Sequence, residues 1–281
     1  MKQQTDPLPQ VHMVQNHSSA QESRVRIGTS GYSYTEWVDG GFYPSLTKTP
    51  DMLPLYGQKF SVVELNYTWY QMVRAEAVER MVSRAPDHFC FAAKLTRTLT
   101  HEVDAGWPEQ LRSYRQGIAP LKNRLLAILI QLPPDFDWTH SRRSYLARLL
   151  DGLAGLPLAV EFRHRSWARD SVFAELEKRG VTLVTVDAPQ LPGLFPLLDV
   201  VTNPDLFYIR FHGRNERGWR SANMQQKFDY DYSEEELKSW LRDHMSVICS
   251  RASSGAVFFN NHVRAQAPRN ARLFGQLLAA G

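Results

Sequence analysis

Ten polar residues stand near the ends of short apolar runs: Glu64, Asn66, Lys94, Gln131, Glu161, Arg163, Asp187, Arg210, His212 and Asn260. Their types carry chemistry. Glu64, Glu161 or Asp187 could act as general acid or base, and the Glu64–Glu161 pair would serve glycoside chemistry at a suitable separation. Lys94, if desolvated among cations, becomes a nucleophile able to form a Schiff base. Arg163, Arg210 and the nearby Arg214 offer guanidinium forks matched to phosphate or carboxylate. His212 could shuttle a proton, or join the carboxylates around a divalent metal. No HExxH or comparable local spacing exists, so neither metal nor cofactor is identified. The same residues also describe a neutralised polar plug, because buried charges must pair. Their concentration at one end favours a site, with lost ligand response but little lost stability expected for Glu161→Gln.

The loops beside these residues add candidate ligand contacts. Gly28-Thr29-Ser30-Gly31-Tyr32 could bring backbone amides close to an anion. It lacks both GxGxxG and GxxxxGK[ST], so neither dinucleotide nor P-loop binding follows. Trp37, Phe42 and Tyr43, then Tyr67-Thr68-Trp69-Tyr70, supply aromatics that either stack on a ligand or floor a loop. Glu161-Phe162-Arg163-His164 leads into Ser166-Trp167, and Arg210-Phe211-His212 into Gly213-Arg214. The expected ligand-binding set is Gly28, Ser30, Tyr32, Asn66, Tyr70, Gln131, Arg163, Trp167, Arg210, Arg214 and Asn260.

The elements that must hold these side chains are legible as eight β-prone runs: Val25–Thr29, Ser61–Asn66, Phe89–Leu95, Leu125–Leu132, Leu158–Arg163, Val181–Asp187, Phe207–His212 and Ala256–Asn260. Helical patterns lie between several of them. Arg74–Arg84 presents Val78, Met81 and Val82. Tyr145, Leu149 and Leu153 recur at intervals of four. Asp170–Arg179 ends at Gly180, and Ser233 to Glu236 has the form of a capping box before Leu237, Trp240, Leu241, Met245 and Ile248. Leu273, Leu277 and Leu278 mark a closing helix. Near-continuous apolar strands alternating with helices predict a parallel sheet covered by helices. A closed (β/α)8 TIM-type barrel is the first choice and an open doubly wound sheet the second. Strand parity sharpens this reading. Val63 and Leu65, Phe89 and Phe91, Ile128 and Ile130, Val160 and Phe162, Val184 and Val186, Ile209 and Phe211, and Val257 and Phe259 are assigned outward. The intervening residues, Asp187 among them, then face the lumen.

The 281 residues suit one such barrel. With 43% hydrophobic and 22% charged residues the composition excludes wholesale disorder. A net charge of +4 and a pI of about 9.1 fit an anionic ligand but do not argue for nucleic acid. Cys90 and Cys249, without CxxC or a His/Cys cluster, fit a reducing cytosol and exclude a cysteine-based metal site. No apolar run approaches a membrane span. Residues 1–23, rich in Gln, Ser, His and Pro, are expected to form a disordered, dispensable tail, with the domain running from 24 to 281.

Taken in order, these motifs resemble the YecE-like family. The resemblance opens on Ile27 to Tyr32 with Trp37 and Phe42-Tyr43-Pro44, and continues through Val63 to Asn66 with Tyr70, and Phe91 to Lys94 with Thr100-His101. It then takes in Gln131 to Pro134, Glu161 to His164 with Ser166-Trp167, and Asp187. It closes on Arg210, His212-Gly213-Arg214, and Phe259 to His262 with Asn270-Ala271. It spans residues 25 to 280. One departure is Gln71-Met72-Val73, where such proteins usually carry a proline. The resemblance implies a TIM barrel and brings no established activity. Barrel shape has prompted a metal-dependent phosphodiesterase or apurinic-endonuclease analogy for such proteins, which fold alone does not license. The sequence therefore leaves three readings: an enzyme acting on a phosphorylated or other anionic substrate, a metal-dependent phosphodiesterase or nuclease, and a non-enzymatic binder of nucleic acid or an anionic metabolite. A cytoplasmic protein with a small anionic ligand and no membrane partner is the expectation.

Overall fold

Parallel pairing joins β1 (Val25–Ser30), β2 (Val62–Leu65), β3 (Cys90–Lys94), β4 (Leu125–Gln131), β5 (Leu158–Glu161), β6 (Thr182–Asp187), β7 (Phe207–Phe211) and β8 (Gly255–Phe259) in sequence order, and β8 returns to β1 to close the barrel. The architecture is that of a computed structural model describing residues 24–221 and 223–280. The segment 1–23, expected to be a tail, lies outside the described residues.

The helices follow the apolar periodicity. Val78 and Met81 are the buried positions of Ala75–Val82. Tyr145, Leu146, Leu149 and Leu150 are those of His140–Gly152. Asp170–Arg179 stops at Gly180, whose φ of 62° is the left-handed cap that glycine adopts without a Cβ clash. The capping box at Ser233 forms, and its helix runs from Glu234 through a π-helical turn at Leu241–Met245 to Arg251. Two crossover helices have no counterpart in the sequence reading: Thr49–Gly57 and Trp107–Ile118. Between β6 and β7 there is no helix. Pro189, Pro192, Pro196 and Pro204 fall in that connection, and proline removes the helix donor and clashes with the preceding turn. This stretch instead bridges the end of β5, where Phe195 N–H donates to the Arg163 carbonyl at 2.8 Å and His164 pairs with Leu194.

The side chains form concentric layers. Outward residues such as Val63, Phe91, Ile128, Ile130, Val160, Ile209, Val257 and Phe259 pack against the helices. Inward residues fill the bottom of the lumen: Ala92, Ala127, Leu129, Ala159, Val184, Tyr208, Ala256 and Phe258. Alanines let the strands approach, and Tyr208 and Phe258, 4.9 Å apart, occupy the remaining width. Gly28 belongs to this tight fit, since a Cβ there would stand 2.2 Å from the Val62 carbonyl oxygen. The apolar floor carries the polar layer above it.

Candidate functional site

Above Tyr208 the lumen turns ionic. Arg210, on β7, is buried between two carboxylates: Nη1 donates to Glu161 Oε2 at 2.5 Å and Nη2 to Glu64 Oε1 at 2.6 Å. Tyr208 donates its hydroxyl to Glu64 Oε2 at 2.6 Å, and Arg163 Nε meets Glu161 Oε1. All four carboxylate oxygens are thus occupied. Burial raises the cost of every charge here, yet Arg163, Arg210 and His212 outweigh it for Glu161, whose pKa sits well below the ordinary carboxylate value. Arg210 is opposed by burial but held above its ordinary value by Glu161 and Glu64. His212 receives Arg163 Nη2 at 3.0 Å and Arg210 Nη1 at 3.3 Å on its Nε2. A guanidinium only donates, so Nε2 faces two donors, while Nδ1 lies 3.0 Å from Asn260 Nδ2. Burial first, then Arg163 and Arg210, push His212 well below its ordinary pKa and keep the ring neutral.

This ionic layer floors a cavity of about 270 Å³ at the C-terminal strand ends. Arg163 and Arg210 line its base with Asn66, Gln131 and Asn260; Lys94 enters it from the end of β3 and Lys227 from the connection after β7. Lys94, last residue of β3, lies over the Trp69 ring at 4.8 Å and makes no ion pair or hydrogen bond through its amine among the described residues. Burial, then Arg210, lower its pKa to about 7; Glu64 and Glu161 counteract in part. Lys227 lies over Trp219 at 4.2 Å, and burial followed by Arg163 lowers it to about 8. Tyr34 and His262 stack at 4.8 Å on the rim, and His262 Nδ1 is 3.3 Å from Glu36 Oε1. Burial outweighs Glu36 and lowers the His262 pKa. Asn66 Oδ1 and Trp69 Nε1 are buried without a protein partner among the described residues, an acceptor and a donor beside the same cavity.

The expected residues thus divide by depth. Lys94, Arg163, Arg210, Asn66, Tyr70, Gln131 and Asn260 line the cavity. Glu64, Glu161 and His212 lie beneath it, fully buried. Ser30 lies with them, its Oγ 3.5 Å from Arg210 Nη2. Asp187 requires a correction. On β6 it is Val184 and Val186 that fill the lumen, so Asp187 has the outward parity. Tyr232 donates to Asp187 Oδ1 at 2.6 Å and Arg214 Nη2 to Oδ2 at 2.6 Å. The inference that polar means inward failed because the lower lumen is apolar and a fixed cation was available outside. Arg214 consequently does not line the cavity either. Trp167 is a core residue: it donates to the Phe136 carbonyl at 2.7 Å and stacks on Phe162 at 4.6 Å. Nor does the glycine turn form the expected anion cradle. Thr29 N–H donates to the Tyr56 hydroxyl oxygen and Gly31 N–H to the Glu64 carbonyl, so both amides are spent within the protein. Tyr32 lies outside this cavity, over Tyr56 and beside a neighbouring cleft. Trp37, Phe42 and Tyr43 are buried and floor the first loop.

Sequence reasoning missed Tyr34, Lys227 and Phe228 as cavity residues and gave His101, named only within the resemblance, no place among the candidate ligand contacts. Lys227 and Phe228 belong to a short helix, Met224–Phe228, in the long connection after β7. No periodicity marks so short an element. Its placement depends on contacts such as Gly218 against the Gln226 carbonyl, where a Cβ would stand 2.1 Å away.

Comparison with known proteins places the geometry in context. UPF0759 protein YunF of Bacillus subtilis (strain 168) is 27% identical over 272 residues, which cover 90% of this chain and 94% of YunF. The crystal structure of a DUF72 family protein from Thermotoga maritima is 36% identical, with a TM-score of 0.81 over 91% of this chain and 99% of that one. A second DUF72 family structure, from Enterococcus faecalis, is 26% identical with a TM-score of 0.80, covering 91% of this chain and 95% of that one. The family model described as "Protein of unknown function DUF72" matches residues 26–281, nearly the whole barrel and every cavity residue named above, so the chain belongs to the DUF72 family.

Proposed function

We propose that the protein is an enzyme acting on a small anionic substrate, phosphorylated or carboxylated, held at the C-terminal mouth of the barrel. The observation that carries this reading is a charge imbalance. Lys94, Lys227, Arg163 and Arg210 line the cavity, while no carboxylate among the described residues does; Glu64 and Glu161 lie below with their oxygens taken. Cations facing an enclosed, partly dry space attract an anion more strongly than they would at an open surface. Asn66 Oδ1 and Trp69 Nε1 offer polar contacts to the uncharged part of the ligand. The volume suits a metabolite-sized molecule rather than a polynucleotide strand.

The metal-dependent reading draws less support. Among the described residues no three His, Cys, Asp or Glu side chains are grouped to hold a metal ion. His212 Nε2, the nitrogen a metal would need, faces two guanidiniums. Glycoside chemistry is likewise poorly served, because neither Glu64 nor Glu161 has an oxygen open to the cavity.

The test is thermal unfolding with inorganic phosphate, with and without a chelator. Phosphate is expected to raise Tm in both conditions, and Lys227→Ala is expected to remove most of the rise. A rise that vanishes with chelator and returns with Mn²⁺ or Zn²⁺ would transfer the case to the metal-dependent reading. No rise with phosphate, sulfate or small carboxylates would sink the anion site altogether.

A further inference from the structure

We infer that Lys94 is a covalent amine, and that the substrate is an aldehyde or ketone carrying a phosphate or carboxylate, captured on Lys94 as an imine. This rests on the anion reading above and deepens it by naming the reacting group. Three geometrical features support it. First, the Lys94 amine enters the cavity unpaired among the described residues, whereas structural lysines in barrels ordinarily meet a carboxylate. Glu64 and Glu161, the acids that would pair with it, are both engaged by Arg210, with Arg163 and Tyr208 completing their contacts. Second, Arg210 on β7, the strand opposite β3, and Arg163 just after β5 are fixed cations lining the same cavity as Lys94. They can hold the anionic end of a substrate while its carbonyl meets the amine. Third, Trp69 packs under the ammonium position and excludes water from one side. An amine desolvated among cations favours its neutral form, which is the nucleophilic one.

The groups that face Lys94 account for its state. Burial, then Arg210 and least Arg163, disfavour its proton, Glu64 and Glu161 favour it, and the balance is a pKa of about 7. His101 on the neighbouring loop is also kept neutral, by burial and then by Lys94 itself.

In the reaction the Lys94 nitrogen lone pair forms a bond to the carbonyl carbon as the C=O π pair moves to oxygen. A proton passes from nitrogen to that oxygen, giving a neutral carbinolamine. The nitrogen lone pair then forms the C=N bond as the hydroxyl leaves with one solvent proton as water. In sum, amine, carbonyl and one proton give an iminium ion and water. His262 lines the same cavity, is oriented through Nδ1 by Glu36, and has no protein partner on Nε2 among the described residues, which suits it to relay the nitrogen-to-oxygen proton.

The experiment treats the full chain at pH 7 with glyoxylate or dihydroxyacetone phosphate and sodium cyanoborohydride, then maps adducts by peptide mass spectrometry. At that pH an ordinary lysine is neutral in roughly one molecule in a thousand or fewer. Lys94 is therefore expected to be trapped at least about tenfold faster than any lysine outside the cavity, with Lys227 the next most reactive, and inorganic phosphate should suppress that trapping. Lys94→Arg should lose the dominant adduct, and the phosphate rise in Tm of the unchanged protein reports the anion site separately. Adducts spread over surface lysines, with Lys94 unmodified and the phosphate rise intact, would overturn the imine proposal and leave the anion site standing. Lys94 trapped equally by acetaldehyde, with no phosphate rise, would overturn the anionic substrate class.

Discussion

Lys94 illustrates how little of a residue's chemistry is intrinsic. The same ammonium on a surface would titrate near 10.4; here burial and two guanidiniums bring it to about 7. Rate against pH for an amine-selective acylating reagent should show a midpoint near 7 for Lys94, with Lys227 following near 8. A Lys94 midpoint above 9 would falsify the desolvated-amine reading. Glu161 makes the complementary point. The sequence placed it correctly on the inner face of β5 but could not show that both its oxygens serve guanidiniums. Functional and structural roles are then inseparable, and the expected tolerance of Glu161→Gln gives way. That substitution leaves Arg163 and Arg210 without a full counter-charge and is expected to cost about 3–5 kcal/mol, the range for breaking a buried pair. Urea unfolding monitored by fluorescence would read it.

At the scale of elements, all eight strands were legible because buried parallel strands are written as apolar runs with few alternatives. Parity was legible where the late inner residue was polar or charged, Gln131 on β4 and Asn260 after β8 included. Glu64, Lys94, Glu161 and Arg210 announced their side, whereas β6, with valine on the lumen and Asp187 outside, inverted the rule. The connections were read less well. The prolines between β6 and β7, which disfavour a helix there, went unused in the sequence reading, and the short helices after β7 carried no period to read. That connection is anchored by Asp187, which holds Arg214 and Tyr232, and by Gly213, whose N–H donates to the Tyr232 hydroxyl at 2.8 Å and whose φ of 86° suits glycine. Arg214 is thus a clamp for the segment that delivers Lys227 to the cavity. Arg214→Ala should remove charge-assisted bonds worth about 1.5–3 kcal/mol. Hydrogen exchange across 214–232 should accelerate, with strand protection unchanged. Unaltered exchange in that segment would refute the clamp.

At the scale of the whole molecule, the layers form a gradient from an apolar floor, through an ionic shelf, to a cationic cavity. The shelf reconciles the two sequence readings of the polar set, plug and site. Its salt bridges neutralise the lower charges, and that leaves the upper cations without carboxylate partners. No helix among the described residues is long and apolar enough to cross a membrane.

The gradient has a consequence for stability against pH, and its two ends act in separate windows. Glu161 has a folded pKa depressed below the unfolded value, so its contribution is fully present above the unfolded value, near 4.5, and is lost as pH falls through the much lower folded one. Lys94 acts in alkaline solution. Its folded pKa of about 7 lies below the value of 10.5 for the unfolded chain, so between these limits the unfolded state binds one more proton than the folded state. Stability from this group must therefore rise with pH across that window, because the folded protein no longer has to bury an ammonium among arginines. Each unit of difference corresponds to about 1.4 kcal/mol. Denaturant unfolding from pH 6 to 10 should show a rising Lys94 component, obtained as the difference between the wild type and Lys94→Met. The methionine keeps the volume over Trp69 while removing the titrating group. At pH 6 the variant should be the more stable protein, and its advantage should shrink steadily as pH increases. A difference that stays flat across this range would mean that Lys94 keeps the same charge in both states, and the cavity would then hold an ordinary ammonium.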